Sequence, residues 1–201
     1  GMGGRGLALL CLCLLAIVGA LSQDCHVEWE DAPTGGTSSE VHVSIVAGGR
    51  NDAYGGEPFA SRVQVFLDVW GAFACASFSA ARQAEVVLVD YNPPPGVPPL
   101  ASVVEWPRPC PGLVLRTVRV PACLHLALPN PAGIPFLEHL AKNAGARLAR
   151  GKFLLITNPD ILPSEDLVHF LSGPLDQGAF YRVDRHDLPY GYFAPNGGAG
   201  G

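Results

Sequence analysis

A chain of 201 residues, 48% hydrophobic and only 15% charged, holds one domain with a sizeable buried core, or one domain and a piece of a second. That composition excludes a disordered polyelectrolyte. The net charge of −5, from 13 basic and 18 acidic residues, argues against a nucleic-acid binder, which carries a basic footprint. Small anionic ligands stay open, because a phosphate site needs only a few well-placed donors.

Residues 1–22 read as a targeting segment. Met2 and Arg5 precede an uncharged apolar run, Leu7 to Leu21, with small residues at Ala20 and Ser22. This pattern resembles a secretory signal peptide. The run is shorter than the ~20 apolar residues of a spanning helix, and a signal anchor through residues 7–21 is the alternative. Cys11 and Cys13 lie within it, leaving Cys25, Cys75, Cys110 and Cys123. Four cysteines allow three pairings if all are bridged; one bridge or none, with buried thiols, is the other reading. Neither CxxC nor a Cys/His ligand spacing appears, so no structural zinc is expected.

Residues 23–40 are polar and rich in Gly, Ser and Thr, and read as a linker. A folded domain is expected over 41–188. Its first strand is Val41 to Ala47, β-branched and closed by Gly48-Gly49. A helix follows within Pro58 to Gln83, where Phe59, Val63, Phe66, Leu67, Trp70 and Phe73 make one apolar face and Gly71 is a point of interruption. Ala84 to Asp90 reads as a parallel strand buried on both faces. It ends at Asn92-Pro93-Pro94-Pro95-Gly96, and residues 93–112 form a proline-dense excursion. Leu113 to Pro121 holds a weaker strand centred on Val118 to Val120.

The spacing predicts a second helix from Pro135, at its first position, to Arg150, closed by Gly151. Its stripe is Phe136, Leu137, Leu140, Ala141, Ala144 and Leu148; Arg147 and Arg150 read as a solvated face. Lys152 to Thr157 begins another buried strand, and Ser164 caps a short helix to about Leu171. Alternating strands and helices predict an α/β fold with a mostly parallel sheet. Residues 189–201 read as a flexible glycine-rich tail.

Open parallel sheets bind ligands beyond the carboxyl ends of their strands. Three polar clusters fall there: Arg50-Asn51-Asp52, Asp90-Tyr91-Asn92 and Asn158-Pro159-Asp160. Each alone is also an ordinary turn composition. Together, on one edge of the sheet, the three are expected to line one crevice.

The helix residues Asn143, Gly145, Ala149 and Gly151, followed by an apolar strand and Asn158-Pro159-Asp160, resemble family 2-like glycosyltransferases. In that family an N-x-G-x-x-x-A-x-G motif precedes a strand leading to an acidic DxD-type motif. Asp90-Tyr91-Asn92-Pro93-Pro94 also looks like a strand-end segment of exostosin-like members, and Phe180 to Asp187 like a block of some other family 2-like proteins. The resemblance covers about residues 41 to 188.

It implies a Rossmann-like, GT-A-type three-layer sandwich that transfers a sugar from a nucleotide-diphosphate-sugar donor to a glycan or protein acceptor. It further implies a secretory-pathway setting, in the Golgi or endoplasmic reticulum lumen, secreted or anchored. Arg50, Asn51, Asp52, Asp90, Asn92, Asn143 and Asn158 are the expected nucleotide-sugar contacts, and Asp160 the expected ligand of Mn2+ or Mg2+. Asn158 stands where the DxD-type motif has its first acid. A carbonyl oxygen still suits a hard cation.

Little chain follows Asp160, so the resemblance is to the nucleotide-binding half of such an enzyme, apparently truncated, and no general base is assigned among Asp184, His186 and Asp187. A non-catalytic nucleotide-sugar or glycan-binding module is the rival reading. A dinucleotide oxidoreductase is disfavoured by the spacing of Gly48-Gly49 and Gly55-Gly56, and a serine hydrolase by the lack of a G-x-S-x-G elbow.

Overall fold

A computed structural model describes residues 25–32, 40–52 and 58–187. The expected leader over 1–22 and the tail over 189–201 lie outside the described residues. In chain order the elements are β1 (Glu28–Asp31), β2 (Val41–Gly49), α1 (Phe59–Ser77), β3 (Gln83–Tyr91), α2 (Leu100–Val103), β4 (Leu113–Val120), α3 (Ala122–Leu126), α4 (Glu138–Leu148), β5 (Phe153–Thr157) and α5 (Glu165–Ser172). The chain is therefore α/β. One five-stranded sheet runs in the order β1-β4-β3-β2-β5, with every neighbouring pair parallel except β1 with β4.

The strand alternation divides the apolar side chains between two cores. On one face Val43, Ile45, Val86, Leu88 and Leu115 pack with Val63, Phe66 and Trp70 of α1 and Val168 and Leu171 of α5. On the other, Val46, Val87, Val89 and Val118 pack against Ala141 of α4. Helices thus cover both faces, which is why β2 and β3 read as unbroken apolar runs.

Gly71 does not interrupt α1; it lies within the helix, where a Cβ would run into the Pro107 ring at 2.5 Å. Pro135 precedes α4 instead of opening it: the helix starts at Glu138, and the Pro135 carbonyl accepts from Asn92 Nδ2 at 2.7 Å. The proline-dense excursion holds the one-turn α2, anchored by fully buried Leu100. Ser164 caps α5 as expected, its Oγ accepting from Leu167 N at 3.2 Å.

The small residues of the N-x-G-x-x-x-A-x-G segment have a packing reason. A Cβ on Gly145 would lie 2.6 Å from Val46 and 2.7 Å from Val89, so only glycine lets α4 sit this close to the sheet. A Cβ on Gly151 would collide with the Ser44 backbone. Gly151 does not close the helix; α4 ends at Leu148, and Gly151 N–H donates to Ser44 Oγ at 2.8 Å.

A buried polar cluster fastens this crossover. Glu85 of β3 is fully buried and accepts from Ser44 Oγ at 2.5 Å, Arg150 N at 2.8 Å and Arg150 Nε at 2.9 Å. Arg116 Nε lies 3.6 Å from the same carboxylate. Arg150 is exposed, as a solvated-face residue would be, yet its guanidinium also neutralises this buried carboxylate. Arg116 also donates to Asp31 at 2.9 Å and to the Leu148 carbonyl at 2.5 Å, and its guanidinium lies over the Trp29 ring.

Those contacts correct the linker reading of residues 23–40. Glu28 to Asp31 show no apolar alternation, yet they form an edge strand. Arg116 and Arg150 bind Asp31, and the Cys25–Cys123 disulfide holds the segment from its start. Charged side chains suit a strand with one open edge. Cys75–Cys110 is the second bridge, so of the readings left open by the sequence all four cysteines are paired. By chain entropy a bridge across 98 residues is worth about 4–5 kcal/mol.

Removing the Glu85 side chain leaves the Arg116 and Arg150 guanidinia without their shared buried carboxylate. Glu85→Ala is expected to lower the unfolding free energy by about 3–5 kcal/mol, read as a reduced urea midpoint. A loss under about 1 kcal/mol would mean that solvent already serves those groups.

Candidate functional site

The order of the parallel strands reverses at β2: β3 and β4 lie to one side and β5 to the other. This is the switch point beyond which doubly wound sheets bind ligands. In register, Gly49 lies beside Asp90, Ala47 beside Thr157 and Tyr91 beside Val120. The three sequence clusters therefore emerge on one edge of the sheet.

Two of them are tied together. Arg50 donates from Nε to the Asn92 carbonyl at 2.7 Å and from its terminal nitrogen to Asp52 at 2.8 Å. Asn92 takes a left-handed conformation, φ 48°, which Asn tolerates better than most residues. From there its amide reaches the Pro135 carbonyl, and its own N–H donates to Val120 O. Asn51 Nδ2 donates to Pro98 O at 2.7 Å. One lattice of polar contacts thus joins the ends of β2, β3 and β4 to the loops that overhang them.

Asp90 is only 4% exposed. Its Oδ2 accepts from Leu100 N at 3.0 Å, and Oδ1 has no hydrogen-bond partner. Burial pushes its carboxyl above the usual carboxylate range; the Leu100 hydrogen bond and the fields of Arg119 and Arg50 oppose the rise without cancelling it. Asp90 is thus buried at the end of β3, where it holds the start of α2 through the Leu100 N–H.

The third cluster is held from α4. Lys142 Nζ donates to Asn158 Oδ1 at 2.6 Å and to Glu138 Oε1 one helical turn away. Lys142, with help from the Asn158 amide, lowers the Glu138 carboxyl below its ordinary value, so Glu138 is an anion at neutral pH. Pro159 is buried and Asp160 exposed. The Asp160 carboxylate takes no part in capping α5, a role filled by Ser164, and accepts no hydrogen bond among the described residues. Asn143, next to Lys142, is exposed and makes no hydrogen bond to the cluster. Its neighbours Gly145 and Gly151 serve packing.

A divalent cation would therefore find one unengaged carboxylate, Asp160, while the Asn158 carbonyl already faces an ammonium. Among the described residues no group of three or more His, Cys, Asp or Glu converges as a metal site. Asp160 alone offers a hard cation one carboxylate, and most of an oxygen shell would have to come from elsewhere.

The sequence reading missed Lys142 and Glu138. Their i,i+4 spacing marks them as a helix-surface pair, but the reach of Lys142 to Asn158 depends on how close α4 lies to the sheet.

Asp90 carries a pH signature. Between 3.8, its ordinary value, and its raised folded value, the fold holds a proton there that the unfolded chain has lost. The stability it contributes is complete below about 3.8 and lost as pH rises through the folded value. Asp90→Asn keeps an acceptor for Leu100 N–H and removes the slope. Its urea midpoint should gain on the wild type as pH is raised from about 4 to 7; parallel curves would show a solvated carboxyl. No family model, curated protein or solved structure matches this chain, so the chemistry of the crevice rests on its own residues.

Proposed function

We propose that the crevice between β2 and β5 binds a nucleotide-diphosphate-sugar, and that the chain is the nucleotide-binding half of a GT-A-type glycosyltransferase acting on a glycan or glycoprotein. The observation that carries this reading is the convergence of three strand-end clusters at the switch point of the sheet. The α4 motif residues also deliver β5, and with it Asn158 and Asp160, to that same edge.

Arg50, Asn51, Asp52 and Asn92 form the wall that would receive the base and ribose, and Asp90 holds the start of α2 through the Leu100 N–H. Asp160 would hold Mn2+ or Mg2+ against the diphosphate. Such an ion neutralises charge on the leaving diphosphate. Orientation of the donor falls to the hydrogen-bonded wall, because its donors and acceptors are fixed by mutual contacts before the ligand arrives.

Two disulfides support an oxidising compartment such as the secretory lumen. Among the described residues no helix is long and apolar enough to cross a membrane. The non-catalytic binding module is the second reading; Asn158 favours it, since its carbonyl is engaged by Lys142 where the resemblance expects a free carboxylate.

The test is a titration of the disulfide-intact protein with UDP, GDP, CDP and ADP, with and without Mn2+, read by melting temperature and calorimetry. One nucleotide should stabilise selectively. Asp160→Asn should remove the metal-dependent increment of binding and leave the melting temperature of the free protein nearly unchanged. If none of the four nucleotides binds, or if the variant keeps its full metal dependence, this reading falls.

A further inference from the structure

We infer that Lys142 is a fixed cation of this crevice, and that its ammonium takes a phosphate oxygen of the ligand so that anion binding persists without a divalent metal. The inference rests on the diphosphate reading of the site.

The placement of Lys142 is dictated from the backbone. Ala141, its neighbour, is fully buried with its Cβ against Gly48 near the end of β2; a Cβ on Gly48 would lie 2.9 Å away. The lysine side chain therefore leaves α4 beside the strand ends. It is only 15% exposed, and its ammonium reaches Asn158 at the tip of β5. An ammonium has three protons and no acceptor. Glu138 and Asn158 take two of them. The third is left for a ligand at the edge where the sheet binds one.

The same contact reassigns Asn158. A cation coordinated by its carbonyl would sit against a positive charge that already holds that oxygen, and like charges at contact distance repel. Asn158 therefore orients Lys142 and is not a metal ligand. Where the resemblance expects an acid to recruit a cation, this chain supplies the cation covalently. Asp160, two residues on, remains for a metal, so metal adds to anion binding and does not create it.

Glu138 is the resident counter-ion. Its side chain is 44% exposed and ionised beside Lys142, so it competes with an incoming phosphate for the ammonium. Neutralising it should favour the ligand, and neutralising Lys142 should oppose it.

The experiment is calorimetric titration of inorganic pyrophosphate, and of the four nucleoside diphosphates, into the whole chain in EDTA and then in Mn2+. Wild-type protein should bind pyrophosphate in EDTA. Lys142→Met should weaken that binding by about tenfold or more, the range of a lost charged hydrogen bond. Lys142→Arg should restore much of it, and Glu138→Gln should tighten it; melting temperatures confirm that each variant is folded. Binding that appears only with Mn2+, or that Lys142→Met leaves unchanged, overturns the inference while the nucleotide reading stands. Pyrophosphate binding that needs Lys142, with no preference for any nucleoside, upholds the inference and sinks the nucleotide reading. No binding of any of these anions in either condition overturns both.

Discussion

The Glu85 carboxylate is shut off from bulk solvent, so Ser44, Arg116 and Arg150 must satisfy it. That requirement fixes more than a local contact. Ser44 Oγ gives its proton to Glu85 and takes one from Gly151 N–H, so one hydroxyl links β2, β3 and the turn into β5. Arg116 carries the constraint outward to the Leu148 carbonyl and to β1. A strand rises about 3.3 Å per residue, and β5 has five residues. The start of β5 is thus pinned roughly one strand length from Asn158 and Asp160. The crevice is positioned from its far end.

At the crevice itself, charge is largely balanced before any ligand arrives. Arg50 is satisfied by Asp52 and Asn92, and Lys142 by Glu138 and Asn158. Such pairing spares the fold the cost of unpaired half-buried charge. An incoming anion meets the one ammonium proton that neither Glu138 nor Asn158 takes, and competes with Glu138 for the rest of that charge. Asp160 is the exception, an exposed carboxylate with no hydrogen-bond partner among the described residues.

β2 and β3 were legible because burial on both faces leaves an apolar signature. β5 carries the same signature, yet it is an edge strand that leaves Leu154 and Ile156 about half exposed, so its expected burial does not hold. The other edge strand, β1, was not legible, since Glu28-Trp29-Glu30-Asp31 owes its conformation to Arg116, Arg150 and a disulfide, all distant in sequence. The strand-end clusters were found from their turn chemistry, but their division of labour was hidden. Asp90 reads as a ligand contact in the sequence, but that one of its oxygens also holds Leu100 N–H, ten residues on, could not be seen there. Asn143 matches a motif whose glycines answer to Val46, Val89 and Ser44, residues that only the packed sheet brings near.

The two disulfides bracket β4: Cys110 stands just before it and Cys123 just after it. Each reaches back across a different stretch of chain, Cys110 to the end of α1 and Cys123 to the segment before β1. Most of the proline-dense excursion after β3, up to Cys110, falls inside the Cys75–Cys110 loop. A protease that cuts that excursion opens a loop without releasing a fragment, because both halves stay joined through Cys75–Cys110 and through Cys25–Cys123. The cut molecule would gain only the one water of hydrolysis and keep β4 tethered on both sides, and its two pieces would part only after reduction.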